Sequence, residues 1–390
     1  MIYDVAIVGG GLVGSLSALL LAQLGFQVIL LEKNEPVRES GTLGIDLRTV
    51  AVSQASKRLL ESSGVWNSIN ATPYREMRVW EQLGDGELTF FSENGDSESL
   101  GFICENSEIL CVMWERLRAS SNINLIVGVQ LQDIKLGTDY IELELEDDEI
   151  LAKLLLGADG ASSKVRSSLG IGSRDLVTRH HVLATNVKLQ NGHGRIAWQK
   201  FLLEGPLAVL PTADLHVASI VWSRTESEAK KSQTMEELAF CAELTVALEG
   251  RFGAVESCDR RVLFPVKQSL VHNFNPLSRV VFIGDAARVI HPLAGQGVNI
   301  GFEDVAALLD ILAFDKDDCD IGALEEWQEF SKNRMRKSQM MIEAMRRLDK
   351  IYSYSNPLVT LLRNKAVSAI DNNNGIKKRL IQQAQGFGFI

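Results

Sequence analysis

The chain has 390 residues, of which 46% are hydrophobic and 23% charged, a balance typical of a folded protein with two or more domains. The formal net charge of −10 argues against nucleic acid as the main partner, because phosphate binding requires clustered lysine and arginine. The five cysteines form no CxxC pair and have no histidine at metal-ligand spacing, which predicts ordinary reduced thiols and no metal site.

The apolar segment at residues 5–24 is interrupted by glycine and serine and has no basic leader, so it does not resemble a secretory signal. No segment reaches about 18 uninterrupted apolar residues, the length expected of a transmembrane helix. We therefore expect a cytoplasmic protein, and peripheral attachment to the inner membrane is an open alternative.

A glycine-rich motif, DVAIVGGGLVG, joins the first predicted strand to the first predicted helix. Gly9, Gly11 and Gly14 fit the pattern G-x-G-x-x-G. In this pattern the first glycine permits a tight turn, the second lets a pyrophosphate approach the backbone, and the third lets helix and strand pack closely. Glu32 ends the second predicted strand, where a carboxylate can accept hydrogen bonds from a ribose. The unit predicts a dinucleotide site.

Two further motifs each follow an apolar, strand-like segment. LLLGADGASSKVR ends its strand in Asp159-Gly160, a pair that favours a turn. VVFIGDAARVIHPLAGQGVN places Asp285 directly after a buried strand, where it can accept a hydrogen bond from a polyol such as a ribityl chain. A simple NAD dehydrogenase would need neither motif, so the three together favour a flavin.

The third motif continues into a turn that precedes a predicted helix. Such a turn exposes backbone N–H groups, which can stabilise negative charge on the pyrimidine edge of a flavin. Its residues are Pro292, Gly295, Gln296, Gly297, Val298 and Asn299.

Between the second and third motifs, residues 182–225 alternate apolar and polar side chains, which predicts antiparallel strands. We expect these strands to form a sheet over the flavin, with the substrate between the two layers. Five conspicuous side chains, in this region, just before it or earlier in the chain, are predicted to be structural rather than catalytic: Trp80, Trp198, Trp222, His180 and His181.

The three motifs resemble the fingerprints of single-component aromatic hydroxylases that have a glutathione-reductase-type FAD fold. More narrowly, the chain resembles the ubiquinone-biosynthesis hydroxylases over residues 1 to about 315. The segments that carry this resemblance are DLRTVAVSQASKRLLESSGVW, PYREMRVWE, ENSEIL, AWQKFLLEGPLAVLP and GDAARVIHPLAGQGVNIGFEDVAAL. A second G-x-G-x-x-G after a strand and a CxxxxC pair are both absent from the sequence, which argues against the disulfide reductases built on the same fold.

The resemblance implies an α/β fold with a Rossmann-like FAD-binding domain, a second, mainly antiparallel β-sheet substrate domain and a helical C-terminal tail. The FAD-binding domain is expected to be discontinuous. The expected ranges are 1–72, 100–178 and 275–330 for the FAD-binding domain, 73–99 and 179–274 for the substrate domain, and 331–390 for the helical region.

The resemblance also implies roles for individual residues, and it nominates no catalytic base. Arg288 departs from the family, which usually has histidine there, and it introduces a cation near the expected flavin edge. The implied contacts are Gly9, Gly11, Gly14 and Glu32 with the ADP part of FAD; Arg48 with the pyrophosphate and the nicotinamide approach; Asn106 beside the cofactor; Asp159 and Gly160 with FAD and NAD(P)H; Asp285 with the ribityl chain; and residues 295–299 with the isoalloxazine.

The activity implied is that of a monooxygenase with bound FAD, transient NAD(P)H and O2, which hydroxylates the ring of a polyprenylated phenol or quinol in ubiquinone biosynthesis. Two alternatives remain open: a flavin oxidoreductase for another lipid or aromatic substrate, and a non-catalytic subunit of a ubiquinone-biosynthesis complex. Other proteins of that pathway are implied as partners. The stretch 340–380 interleaves Leu, Ile and Met with Arg and Lys, which fits either a lipid-facing surface or a packed helical tail.

Overall fold

The fold is described from a computed structural model, which covers residues 1–94, 98–176, 180–290, 297–313, 319–354 and 356–386. Its strands in chain order are β1 (Ile2–Val8), β2 (Val28–Glu32), β3 (Thr49–Val52), β4 (Ala71–Tyr74), β5 (Glu76–Glu81), β6 (Glu87–Phe91), β7 (Gly101–Glu105), β8 (Ile123–Val127), β9 (Asp133–Leu136), β10 (Ile141–Glu144), β11 (Glu149–Gly157), β12 (Ser173–Leu176), β13 (His180–Leu189), β14 (Ile196–Leu202), β15 (Gly205–Pro211), β16 (Val217–Thr225), β17 (Val255–Cys258), β18 (Val262–Pro265), β19 (Gln268–Val271), β20 (Val280–Phe282) and β21 (Arg288–Val289).

The α-helices lie between and after these strands. They are α1 (Leu12–Gln23), α2 (Gln54–Ser62), α3 (Asn106–Ala119), α4 (Lys164–Ser168), α5 (Glu226–Thr234), α6 (Glu237–Ala247), α7 (Gly297–Leu312), α8 (Glu326–Ser353), α9 (Pro357–Asp371) and α10 (Asn374–Ala384). Short 3-10 turns lie at Trp66–Ser68, Ser92–Asn94 and Gly284–Ala286.

The first sheet has the order β8-β2-β1-β11-β10-β9, and β20 also pairs with β11. Strands β8, β2, β1, β11 and β20 run parallel. Their centres are continuous Val, Ile, Leu and Ala segments that are buried, as expected for a parallel sheet covered on both faces. Val8 pairs with both Leu31 and Gly157, so the carboxyl ends of β1, β2 and β11 lie side by side.

The second sheet has the order β17-β13-β16-β15-β14-β5-β6, with β18 also paired to β13. Strands β13 to β16 are antiparallel, which confirms the prediction for residues 182–225; β14 and β5 pair in parallel. One face packs against α6, and its apolar cluster contains buried Trp80 and Trp222 and partly buried Trp198. The prediction that these tryptophans pack in the sheet core is therefore confirmed.

The other face of the second sheet packs against a three-stranded sheet of order β3-β7-β4. A small apolar cluster joins Ala208 and Leu210 of this face to Ala51 of β3 and Ile103 of β7. The Thr49 hydroxyl also lies 2.9 Å from the Ser219 hydroxyl of β16. We call this surface the inner face. It brings β3, and therefore neighbouring Arg48, against the second sheet.

Helices α8 to α10 follow the sheets, and the mixed α/β class with a helical C-terminal region is confirmed. Helix α8 buries Trp327 and Phe330, which pack at 5.8 Å between ring centroids. None of the helices within the described ranges is long and apolar enough to cross a membrane. The domain boundaries given above stay a prediction.

Candidate functional site

The turn after β1 has the geometry that its glycines predict. Gly9 has φ +109°, and its N–H donates to the carbonyl of Leu31 at 2.9 Å. A Cβ at Gly9 would lie 2.4 Å from the Ala158 carbonyl oxygen, and a Cβ at Gly14 would lie 1.9 Å from the Gly9 carbonyl oxygen. Gly11 is different, because a Cβ there would meet no atom within 4 Å. The first and third glycines are therefore required by packing, and Gly11 faces open space where a ligand can approach.

The Glu32 carboxylate lies directly at this turn. Its Oε2 accepts a hydrogen bond from the Gly10 N–H at 2.6 Å, and its Oε1 accepts from the N–H groups of Lys33 at 2.8 Å and Asn34 at 3.1 Å. These bonds fix the orientation of the carboxylate. Each oxygen of a carboxylate has more than one acceptor position, so the half-buried group keeps capacity for a ribose hydroxyl.

The Asp159-Gly160 turn follows β11, beside the glycine turn. Gly160 has φ +80°, a conformation that suits glycine. The Asp159 Oδ2 accepts hydrogen bonds from the N–H groups of Lys164 at 2.6 Å and Val165 at 3.0 Å at the start of α4. Its Oδ1 is buried and has no hydrogen-bond partner among the residues that the structure covers. A buried acceptor without a donor is costly, so this oxygen is suited to a ligand that brings a donor.

The Gly284-Asp285 turn follows β20, on the far side of β11. Gly284 has φ +58°. The Asp285 carboxylate is exposed, and no described residue donates a hydrogen bond to it. Surrounding protein displaces water and raises the pKa of Asp285; Asp304 acts in the same direction, whereas Arg288 and Arg48 oppose the rise. An acceptor that has no protein donor and is partly shielded from water is suited to a ligand hydroxyl.

Arg166 connects the second and third motifs. Its guanidinium donates to the carbonyl oxygen of Ala286 at 2.6 Å and to that of Ala161 at 2.7 Å. The two aspartate turns are therefore tied together by one side chain. The sequence indicated the position of Arg166 after the second motif, but it gave no signal of this cross-connection.

Arg288 is buried in an ion-pair cluster. Its Nη1 donates to Asp304 Oδ2 at 2.6 Å, and that oxygen also accepts from the Gly284 N–H at 2.9 Å. The other oxygen of Asp304 accepts from Nε of Arg334, on α8, at 2.5 Å. Burial lowers the pKa of Arg288, and the charge of Asp304 opposes this. The family resemblance implies a cation at Arg288 near the flavin edge, and in the structure this cation faces the fully buried carboxylate of Asp304.

Asn299 uses its side chain within the protein. Its amide N–H2 donates to the Ala51 carbonyl at 2.7 Å, and its oxygen accepts from the Ser53 N–H at 2.9 Å and the Ser56 hydroxyl at 2.7 Å. The carboxamide thus joins α7 to β3 and α2, and what remains for a flavin is the backbone at the start of α7. Gly297 is exposed there and Val298 is half-buried. Pro292, Gly295 and Gln296 lie outside the described residues.

Arg48 and Asn106 are brought together by Asp46, a residue that the sequence analysis did not single out. Asp46 accepts hydrogen bonds from the N–H groups of Arg48 and Ser107, both at 2.9 Å, and the Asn106 N–H donates to the Arg48 carbonyl at 3.0 Å. The Arg48 guanidinium lies 5.3 Å from the centre of the Phe264 ring, on β18. Arg48 therefore contacts the second sheet, while its charge also acts on Asp285.

The inner face between these groups is mainly apolar. Val182 pairs with Phe264, and Ala184 pairs with both Val221 and Val262. His180 and His181 are strand residues of β13, as expected, and His180 also lines the cavity described next. The prediction that neither is catalytic stays a prediction. A ring held at the inner face would contact apolar side chains rather than a cluster of acids and bases.

A cavity of about 850 Å³ lies farther along, between the β14–β15 pair, the β12–β19 pair and α8. Phe201 of β14 forms one wall and stacks on Tyr352 of α8, with ring centroids 3.9 Å apart. Its other apolar lining residues include Leu176, Pro206, Leu270, Met335, Ile342 and Met345. The cavity is suited to an apolar or amphipathic ligand.

Two thiols that are distant in sequence meet on the opposite side of the second sheet. The Sγ atoms of Cys241 and Cys258 and a Glu237 carboxylate oxygen all lie within 4.8 Å of one another. Both cysteines are free thiols, and their proximity has no signal in the spacing of cysteines along the sequence. Burial raises the pKa of Cys258 to about 12, which favours the protonated thiol.

The three motifs converge at one edge of the first sheet, because β2, β1, β11 and β20 are parallel neighbours. The carboxyl ends of these strands carry Glu32, Gly9, Asp159 and Asp285. Crevices beyond the carboxyl ends of parallel strands are the usual ligand sites of such sheets. The FAD-binding domain family matches residues 2–318.

The chain belongs to this FAD-binding domain family. It is an FAD-dependent enzyme of the hydroxylase class, and FAD is its cofactor. It is 32% identical to 3-demethoxyubiquinol 3-hydroxylase of Escherichia coli (strain K12), over 98% of both chains. It is 30% identical to ubiquinone biosynthesis monooxygenase COQ6 of Xenopus tropicalis, over 97% of this chain and 92% of that protein.

Solved structures share the fold at lower identity. p-Nitrophenol 4-monooxygenase PnpA from Pseudomonas putida DLL-E4 superposes with a TM-score of 0.79 at 19% identity, over 100% of this chain and 99% of that chain. PqsL of P. aeruginosa superposes with a TM-score of 0.75 at 20% identity, over 90% and 97%. These similarities confirm the fold class expected from the three motifs.

Proposed function

We propose that this enzyme hydroxylates the aromatic ring of a polyprenylated phenol or quinol in ubiquinone biosynthesis, with NAD(P)H and O2 as co-substrates. The observation that carries the proposal is the convergence of three FAD-type motifs beneath an apolar sheet face, in a chain similar over its whole length to ubiquinone-biosynthesis hydroxylases. The names of those relatives supply the substrate class. The ring position and the choice between NADH and NADPH are left to experiment.

The residues at the sheet edge fit FAD. Gly11 leaves space for the pyrophosphate, and Glu32 is positioned at the same turn for the adenosine ribose. Asp159 and Asp285 each have a carboxylate oxygen without a donor among the described residues, as hydroxyl-rich parts of the cofactor require. With these residues holding it, FAD would supply the acceptance of hydride from NAD(P)H and the activation of O2 for insertion into an electron-rich ring.

The protein's own contribution is position, charge and exclusion of water. The apolar side chains of the inner face orient a ring and keep water from it. Arg48 supplies a positive charge between Asp285 and Phe264, where it can hold a phosphate of FAD or of the arriving NAD(P)H. Asp46 positions Arg48 through its backbone.

The cavity beside α8 is proposed to hold the isoprenoid tail of the substrate. Its walls combine leucine, methionine, isoleucine and aromatic side chains with polar and charged ones, among them Arg174, Glu343, Arg346 and Asp349. Such a tail also places part of the substrate in a bilayer, so we propose peripheral contact with a membrane and with other proteins of the same pathway. The alternative of a non-catalytic subunit rested on Arg288, and its ion pair with Asp304 removes the need for that interpretation.

The test is consumption of O2 and NAD(P)H by FAD-loaded protein, measured with a prenylated quinol, with a tail-less phenol and without substrate. We expect consumption coupled to ring hydroxylation with the prenylated quinol, and accumulation of its unhydroxylated precursor in cells that lack the protein. Flavin reduction without any hydroxylated product, together with normal ubiquinone in the deletion strain, would overturn the proposal.

A further inference from the structure

Charge is distributed very unevenly along the chain. Residues 332–386 contain 12 lysine and arginine residues and 3 aspartate and glutamate residues, whereas the rest of the chain contains 28 and 47. The last helices are therefore strongly basic in a protein whose formal net charge is −10. A local field of this kind selects anionic partners even when the whole molecule is acidic.

Part of this basic charge is used internally. Arg334 pairs with buried Asp304, Arg363 with buried Glu81, and Lys377 with Asp371. Another set points outward and has no carboxylate within ion-pair distance among the residues that the structure describes. That set comprises Arg336 and Lys350 of α8, Lys365 of α9 and Arg379 of α10, all exposed.

The same helices expose large apolar side chains. Leu362 of α9 is 68% exposed, and Ile351 of α8 is 44% exposed. On α8, the exposed apolar residues Met340, Leu348 and Ile351 are spaced eight and three residues apart, which places them on one side of the helix. The exposed apolar residues of the three helices are Met340, Leu348, Ile351, Leu361, Leu362, Ile376 and Leu380.

We infer that these apolar residues, together with Arg336, Lys365 and Arg379, form a docking surface for an anionic lipid bilayer. We call them the C-terminal surface. Lys350 is left out because it lies on the cavity side of α8, four residues after Arg346 and three before Ser353, which both line the cavity. Basic residues attract anionic headgroups, and neighbouring Leu, Ile and Met side chains enter the boundary between headgroups and acyl chains. A nucleic acid or an acidic protein would use the charge but would leave the leucines and isoleucines in water, so lipid is the better match.

Helix α8 links this surface to the proposed tail cavity. Met335, Gln339 and Ile342 line the cavity, whereas Met340, Leu348 and Ile351 are exposed. At 3.6 residues per turn, the two sets lie about half a turn apart around the helix. One helix therefore has one face toward the cavity and the other toward the proposed bilayer. This link rests on the proposed function, but binding to lipid can be measured without any turnover.

The experiment is flotation of the full-length, FAD-loaded protein with phosphatidylcholine vesicles, with and without phosphatidylglycerol. We expect binding that requires phosphatidylglycerol and weakens as salt is raised, because salt screens exposed charges. Replacing Arg336, Lys365 and Arg379 with Gln should weaken binding about fivefold per residue, so the triple variant should not float. A Leu348→Ser/Ile351→Ser/Leu362→Ser variant should bind about tenfold more weakly or worse.

Matched controls lie elsewhere on the surface. Leu238→Ser/Val246→Ser changes two apolar residues of α6 that are 72% and 77% exposed, and Arg75→Gln/Lys267→Gln removes two exposed charges. Circular dichroism and the spectrum of bound flavin establish that each variant is folded. The inference is overturned if binding ignores lipid charge, if the controls lose as much binding as the test variants, or if the wild type instead binds only single-stranded RNA or a second copy of itself. Vesicle binding without hydroxylation would refute the proposed function alone.

Discussion

At the scale of single residues, Asp285 is suited to accept a hydrogen bond from FAD, but its ionised form is disfavoured when FAD is absent. Its carboxylate has no donor among the described residues, and its pKa is raised because surrounding protein displaces water. The pKa of this carboxyl is higher in the folded protein than in the unfolded chain. Its contribution to stability is therefore fully present at a pH below the unfolded-state pKa, and it is lost as the pH rises through the folded-state pKa. At neutral pH the ionised group therefore costs stability in the absence of FAD.

We expect Asp285→Ala to weaken FAD binding by roughly 1–3 kcal/mol, because a cofactor hydroxyl loses its acceptor. The melting temperature of the FAD-free protein should stay the same or rise at neutral pH. Flavin titration and thermal melts with and without FAD measure the two effects. Wild-type FAD affinity should also fall as the acid range is entered, since protonation removes the ionised acceptor, and the variant should lack this dependence. A variant that loses FAD only because it no longer folds would contradict the assignment.

The buried ion pairs of Asp304 are expected to stabilise the FAD-free protein, so their removal should lower its free energy of unfolding. Asp304 balances Arg288 and Arg334 and holds the Gly284 N–H, and it is completely buried. Removing one member of a buried ion pair leaves an uncompensated charge, which typically costs about 3–5 kcal/mol. Asp304→Asn should therefore lower the free energy of unfolding of the FAD-free protein by about 3 kcal/mol. Asp310→Asn, an exposed acid on the same helix, is the control in chemical denaturation. Equal stabilities of the two variants would show that the cluster contributes nothing.

At the scale of elements, two glycines of the unit formed by β1, its turn and α1 have different roles: Gly14 is needed for folding, and Gly11 is needed for FAD binding. A Cβ at Gly14 would collide with the Gly9 carbonyl, whereas a Cβ at Gly11 would point into open space. Gly14→Val should thus lower the stability of the FAD-free protein, and Gly11→Val should leave it unchanged but prevent FAD binding by blocking the backbone. Thermal melts and flavin content of the two purified variants decide this. Retention of FAD by Gly11→Val would refute the proposed pyrophosphate position.

Elements with a strong local pattern were predictable from the sequence. The buried strands before Gly9, Asp159 and Gly284 are continuous apolar segments, and the alternation in residues 182–225 marks half-buried antiparallel strands. What the sequence did not indicate depends on contacts between distant segments. Asp46 caps α3 and positions Arg48, and Asp304 meets arginines from two other elements. Single polar residues of this kind have no periodicity, so only the folded chain reveals their partners.

At the scale of the whole molecule, the proposed substrate must reach across three parts of the chain. The cavity walls come from the second sheet, from the β12–β19 pair and from α8, and the inner face continues from Phe201 of β14 through its partner Pro206 on β15. A ring near Arg48 and a tail beside α8 would therefore occupy one continuous side of the second sheet. Binding energy from a tail distant from the reacting ring can still serve the reaction by orienting the ring.

This arrangement predicts that the tail determines specificity. Ile342→Asp introduces a charge into the cavity wall, far along α8 from the residues that hold Asp304, and should lower kcat/KM for a prenylated quinol about tenfold or more. The kcat/KM for a tail-less phenol should be unchanged, because that substrate does not enter the cavity. Leu238→Asp, at an exposed position of α6, is the control and should affect neither substrate. If Ile342→Asp lowered both values equally, or if the wild type used both substrates equally well, the cavity would not be the tail site and the substrate class would widen to simple phenols.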